Sequence, residues 1–216
     1  MKKAYTLWVV LSLLGSLSAI AWDIPEDKLQ LGPPPQAGSL GEERDYEELF
    51  RYQAERTAKE CQEADLQTYP SMKVFFGPQV GLLNETQFNQ VEAFGKALLK
   101  QMGRASRIYK HEYERVRPYN NDARIHPCIQ KPVGQTSYPS SHAAMGWILG
   151  EALAEVYPDQ ADELKNQGMR IGELRVLGGV HHPSDVEAGR NLAKQVYQLL
   201  KKDAEFLEEI GELRGH

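Results

Sequence analysis

The strongest local signal in this chain is a long helix. Asn84 followed by Gln87 has the spacing of an N-terminal capping box. Phe88, Val91, Gly95, Leu98 and Met102 then recur at the helical period. No proline intervenes before Pro118, so the pattern predicts one helix from Asn84 to about Arg115. Such a helix has to bury its apolar stripe against something, and what surrounds it in sequence is also helical. Glu42 to Asp65 is rich in Glu, Ala, Arg and Gln. Ser140 or Ser141 is placed to cap a helix from His142 to about Val156, and Pro158 to open one reaching about Leu177, closed by Gly178-Gly179. Pro183 fits the first turn of a last helix through about Glu212. Alternating runs of strand length are scarce, and there are no internal repeats. The expected class is all-α, a compact single-domain helical bundle.

Between these helices the reading is irregular. Trp22 to Gly41, with Pro33-Pro34-Pro35, reads as an extended Pro/Gly-rich arm outside the core. Tyr69 to Leu83 and Asn120 to Tyr138 read as loops. Ahead of the arm, Lys2 and Lys3 precede a short apolar run centred on Leu7 to Leu14, and Ala19-Ile20-Ala21 offers the small residues a signal peptidase inspects. The expected organisation is a signal peptide over 1–21 cleaved before Trp22, an arm over 22–41 and a helical domain over 42–216. That implies export to the periplasm or outside the cell and no stable membrane insertion after cleavage. In such an oxidising setting the two cysteines, Cys61 and Cys128, would form one bridge.

The formal charge is −5, which speaks against a general nucleic-acid binder, since that needs a basic face. It leaves room for a small cationic pocket, and three short segments supply one. Lys110 and Arg117 are seven residues apart, two turns of one helix if the helix continues, and so on one face. Tyr138-Pro139-Ser140-Ser141-His142 is a loop running into a helix, where free amides and the dipole favour phosphate. Ser140 adds a hydroxyl, and His142 is placed to protonate a leaving alkoxide. Arg175, His181 and Asp185 follow as R-x5-H-x3-D. Asp185 can fix one ring nitrogen of His181 and leave the other as a nucleophile, while Arg175 suits bidentate binding of phosphate. Each segment alone also fits ordinary surface or capping roles. A metal site from His181, His182 and Asp185 is an alternative that leaves the converging cations unexplained. His111, His126 and His182 read as surface or structural histidines, and His216 as exposed.

Taken in order, these segments resemble the bacterial class A non-specific acid phosphatases of the type-2 phosphatidic acid phosphatase superfamily, which also holds the vanadium haloperoxidases. The family pattern K-x6-R-P, P-S-G-H, S-R-x5-H-x3-D reads here Lys110…Arg117-Pro118, Pro139-Ser140-Ser141-His142 and Leu174-Arg175…His181…Asp185. The likeness extends over the C-terminal half, including Gly172-Glu173 and Ser184-Asp185-Val186. It departs at Ser141, where the family has Gly, and at Leu174, where it has Ser. The resemblance implies an acid phosphatase acting on small phosphomonoesters through a phosphohistidine on His181. Asp185 would orient that ring, and His142 would act as acid and then base. Lys110, Arg117, Arg175, Ser140 and the Ser141 amide would hold phosphate. No cofactor or metal is implied, and a homo-oligomer is compatible. A vanadate-dependent haloperoxidase, a lipid phosphatase and a low-turnover phosphoester-binding protein are the alternatives.

Overall fold

The computed structural model describes Trp22 and residues 24–215; the expected leader over 1–21 and the terminal His216 lie outside them. Among the described residues there are nine α-helices and no strand: α1 (Leu40–Glu55), α2 (Ala58–Leu66), α3 (Met72–Phe76), α4 (Glu85–Tyr113), α5 (Pro118–Asn121), α6 (Ser141–Val156), α7 (Ala161–Leu177), α8 (Pro183–Leu200) and α9 (Ala204–Arg214). The all-α expectation holds. No described helix is long and apolar enough to cross a membrane.

The long helix begins where the capping box places it: Asn84 Oδ1 accepts from Gln87 N and Gln87 Oε1 from Asn84 N, both at 3.0 Å. It stops at Tyr113, because Glu114 takes a left-handed conformation (φ 44°). Lys110 and Arg117 therefore do not share a helix.

Three other boundaries differ from the sequence reading, each for a local reason. The 42–65 helix is two helices, since Thr57 and Glu60 form a second capping box that restarts the chain. The 69–83 segment is not a plain loop: Ser71 caps α3, which buries Met72, Phe75 and Phe76. The last helix breaks at Lys201–Asp203, where Asp203 Oδ1 accepts from Phe206 N at 3.0 Å and starts α9. That break turns Phe206 inward against Phe94 and Trp22. The arm expected to avoid the core thus contributes to it, with Trp22 and Leu29 both buried. Burial against apolar neighbours outweighs the Pro/Gly composition around them, because burying one large apolar side chain stabilises by about 1.5–3 kcal/mol.

Helix α6 is apolar on nearly every side and lies at the centre. It runs antiparallel to α7 at very short range. A Cβ on Gly146 would come within 2.6 Å of the Gly168 carbonyl oxygen, and one on Gly168 within 2.5 Å of Gly146 O. Only glycine on both sides permits that approach. The antiparallel register sets the N-terminus of α6 beside the C-terminal turn of α7, which brings Ser140 and His142 to the neighbourhood of Arg175.

Candidate active site

Each catalytic-type side chain is delivered by a helix end. Past α7, Gly179 adopts φ 76°, and the chain folds back so that Val180 N and His181 N both donate to Arg175 O, at 3.1 and 3.2 Å. The turn satisfies the end of α7 and sets His181 over Arg175. Pro183 then opens α8. Asp185, in its first turn, accepts from His182 N at 2.8 Å and from His181 Nδ1 at 3.3 Å. The Asp185 carbonyl takes Ser140 N at 2.9 Å, which fastens the start of α6 to the start of α8. Ser140 Oγ accepts from Ala143 N and keeps its own proton for another partner. Helix geometry leaves the Ser141 and His142 amides without intrahelical acceptors.

The first segment reaches the same place by another route. After α4 ends, Val116 bridges Thr136, and Ser137 N donates to Arg115 O at 2.7 Å. This pairing draws the 122–137 loop across Lys110 and Arg117. Lys110 Nζ donates to Thr136 O and Ser137 O, each at 3.3 Å. Arg117 donates Nε to Gly134 O at 2.7 Å and Nη1 to Val180 O at 2.8 Å, and its Nη1 also reaches His181 Nε2 at 3.2 Å. The loop is pinned at its other end by the disulfide between Cys61 on α2 and Cys128, whose Cα atoms are 5.7 Å apart; the expected bridge is present.

The electrostatics follow from three cations set together, Arg117 and Arg175 buried and Lys110 half-buried. Arg175 is fully buried. Its Nη1 has one long bond to Ala64 O at 3.4 Å, and its Nε and Nη2 have no partner among the described residues. An unsatisfied buried guanidinium is costly; burial and then Arg117 pull its pKa down to about 10. Lys110 is lowered to about 8, by burial first and Arg117 second. Burial and Arg117 also push His181 well below its ordinary value, so the ring is neutral. Its tautomer is fixed as well. A guanidinium only donates, so Nε2 is the acceptor and Nδ1 carries the hydrogen toward Asp185. Asp185 itself lies well below the usual carboxylate range: burial opposes its charge, but the bond to His181, the neighbouring His182 and Arg115 outweigh it. His142 is lowered to about 3, by burial and then by Arg175. Its Nε2 meets Gln67 O at 2.9 Å, and a carbonyl only accepts, so Nε2 bears the hydrogen and Nδ1 is the free nitrogen.

All three predicted segments therefore meet, and Lys110, Arg117, Ser140, Ser141, His142, Arg175, His181 and Asp185 belong to contiguous elements. Leu174 does not enter the group. It is fully buried against Ala64, Ile129, Leu177 and Val180, so its side chain fills a small apolar core. His182 turns away too, edge-on to Tyr46 with ring centroids 5.3 Å apart. Sequence reasoning missed four participants. Arg115 is legible in hindsight, since the alternation Arg115-Val116-Arg117 of an extended segment puts both arginines on one side. Ser184 adjoins the motif. Asp45 and the Gln67 carbonyl carry no local signal, one lying in a run of acidic helix residues and the other being backbone.

Acid phosphatases align with most of this chain. A non-specific acid phosphatase of Providencia stuartii is 29% identical over 190 residues, covering 83% of this chain and 76% of the relative. An acid phosphatase of Zymomonas mobilis is 31% identical over 196 residues, covering 84% and 72%, and a non-specific acid phosphatase of Salmonella typhimurium is 30% identical over 193 residues, covering 85% and 77%. No family model matches. Among solved structures, the transmembrane PAP2-type phosphatidylglycerolphosphate phosphatase of Bacillus subtilis superposes with a TM-score of 0.56 at 17% identity, over 76% of this chain and 86% of that one. At that identity the likeness is one of fold.

Proposed function

This chain belongs to the bacterial non-specific acid phosphatase family, and from that premise we propose that it hydrolyses small phosphomonoesters, in the periplasm or outside the cell, through a phosphohistidine on His181 and without a metal. The observation that carries the reading is Arg175, a fully buried guanidinium with two unpartnered nitrogens beside Arg117 and the His181 turn. Three cations that repel one another in a desolvated site are stabilised together by a multiply charged anion.

The substrate phosphate lies among Lys110, Arg117, Arg175, the Ser140 hydroxyl and the Ser141 and His142 amides. Its oxygens take over the Arg117 Nη1 hydrogen bond that His181 Nε2 accepts in the free site, and the lone pair is released as the anion arrives. Nε2 attacks phosphorus, the N–P bond forms and the ester P–O bond breaks. His142, held by Gln67 O through Nε2, gives its Nδ1 proton to the departing alkoxide. It then takes a proton from water, whose oxygen attacks phosphorus and breaks the N–P bond. Asp185 balances the charge that grows on His181. Without substrate the cations hold His142 low; a bound dianion reverses that field and lets the ring gain its proton. Because the free His181 stays neutral into acid while His142 has to be protonated, activity favours neutral to acidic pH.

The test is hydrolysis of p-nitrophenyl phosphate from pH 4 to 9, with and without EDTA, alongside His181→Ala. Turnover that resists EDTA and disappears in the variant is expected. A rate still climbing at pH 9, or an active His181→Ala protein, would overturn the reading.

A further inference from the structure

Behind Asp185, on the side away from the cations, lies a second buried cluster that the mechanism above leaves unused. Arg115 Nη1 donates to Asp185 Oδ1 at 2.8 Å and to Ser184 Oγ at 2.7 Å, while its Nη2 donates to Asp45 Oδ2 at 2.9 Å. Ser184 N donates to Asp45 Oδ1 at 2.9 Å, and Ser184 Oγ donates to Asp45 Oδ2. The side chains of Arg115, Asp45 and Asp185 are all nearly or wholly enclosed. One guanidinium is thus shared by two carboxylates, one from α1 and one from α8. We propose that Arg115 and Asp45 are positioning residues for the phosphatase reaction, the shared guanidinium setting how much negative charge Asp185 presents to His181.

This role rests on the phosphohistidine reading and follows from charge and geometry. Asp185 has two faces: Oδ2 serves His181 Nδ1 and His182 N, and Oδ1 serves Arg115. If Arg115 paired with Asp185 alone, it would neutralise the carboxylate that has to support a positively charged phosphohistidine. Asp45 draws the guanidinium the other way through Nη2 and leaves the cluster one negative charge in excess. If Arg115 were absent, two buried carboxylates would flank Ser184, and a proton would be favoured on one of them. Desolvating two carboxylates and a guanidinium merely to join α1 to α8 is expensive, and apolar contact joins helices at lower cost. The other charged or titratable groups around His181 and Asp185 are Lys110 on α4, Arg117 on the segment after it, Arg175 on α7, His142 on α6, His182 capping α8, Tyr138 on the loop before α6 and Glu42 on α1. The first three oppose a proton on His181; Asp185 and Asp45 favour it.

The two residues therefore act in opposite directions. Arg115→Gln strengthens the negative field at His181 and Asp185, so both hold protons to higher pH and the acid limb of kcat/KM moves up, by about one pH unit. Asp45→Asn weakens that field, and the acid limb moves down. In both, kcat falls about tenfold with little change in KM, because the support of His181 changes and the phosphate ligands do not. Arg115→Lys restores the position of the acid limb but only part of kcat.

The experiment is the pH profile of kcat and kcat/KM for p-nitrophenyl phosphate, pH 3 to 9, in these three variants and His181→Ala, with melting temperatures measured in parallel. Opposite shifts of the acid limb support the proposal. Shifts in one direction, or unshifted profiles with a lower melting temperature alone, overturn it and leave the cluster a staple. Should Arg115→Gln not fold, Asp45→Asn decides by itself: a wild-type profile overturns the proposal. An active His181→Ala protein sinks the phosphohistidine reading itself. An inactive one with unshifted network variants sinks only the network.

Discussion

Arg115 and Arg117 stand two residues apart on one extended segment and live in opposite surroundings. Arg117 donates to the carbonyls of Gly134 and Val180 and to His181 Nε2; no carboxylate among the described residues pairs with it, and its neighbours Lys110 and Arg175 are cations. Arg115 is bracketed by the carboxylates of Asp45 and Asp185. The contrast shows how a protein of net charge −5 builds a small cationic site. Cations collect on the Nε2 side of His181 and carboxylates on the Nδ1 side, so the imidazole lies along a steep local field. Carbonyl oxygens can orient a guanidinium without cancelling its charge, whereas a carboxylate does both. The Arg117 side stays ready for an anion, and the Arg115 side is already neutralised.

The variants that probe this contrast rank by their distance from phosphorus. His181→Ala removes the atom that bonds to it, and kcat for p-nitrophenyl phosphate is expected to fall by at least about 10⁴-fold with the melting temperature nearly kept. Arg175→Met comes next. It deletes a charge buried without a full set of partners, so the free protein should melt at a higher temperature while kcat/KM drops by about 10³-fold. Both are read from steady-state kinetics and a thermal scan on the same samples. Opposite movement of stability and activity is the signature of a charge held for a ligand. If Arg175→Met melted lower and kept its activity, the cationic side would be structural and the contrast with Arg115 would collapse.

His142→Asn should cost less, and by an amount that depends on the leaving group. For p-nitrophenolate, which departs without a proton, the loss is expected to be about tenfold or less; for an alkyl phosphate it rises to about 10²–10⁴-fold. For the alkyl phosphate the basic limb of the wild-type kcat profile belongs to loss of the His142 proton, so it should flatten in the variant. Equal losses for both substrates would mean that the ring positions phosphate and donates nothing.

How much of this was legible before the structure depends on whether a residue acts through its neighbours in sequence or through packing. The capping box at Asn84, the serine cap of α6 and the glycine turn after α7 are local, and they carry Ser140, His142, Arg175 and His181 to their places. The failures are where tertiary contact overrode composition. Glu114 ends α4 early, so Lys110 and Arg117 meet through a folded-back loop where a shared helical face was expected. Trp22 and Leu29 left their Pro/Gly-rich arm for the core, and Asp203 broke a helix so that Phe206 could reach Trp22. Asp45 lies among other acidic residues of α1, and nothing in that run distinguishes the one that faces Arg115.

Leu174 sharpens the comparison from outside the site. The family pattern has serine there, and the sequence alone suggests a hydroxyl lost near the site. The side chain instead sits with Ala64, Ile129, Leu177 and Val180, just behind the disulfide that holds the 122–137 loop. Leu174→Ser should therefore remove apolar packing and bury a hydroxyl, destabilising the fold by about 2–5 kcal/mol, as a chemical denaturation curve would show. At a temperature where the variant stays folded, its kcat and KM should remain within about threefold of the parent, since Arg175 keeps its backbone anchors to Val180 and His181. A rise of tenfold or more in kcat would place position 174 back in the catalytic site, and the cationic side of His181 would then extend to the far face of α7.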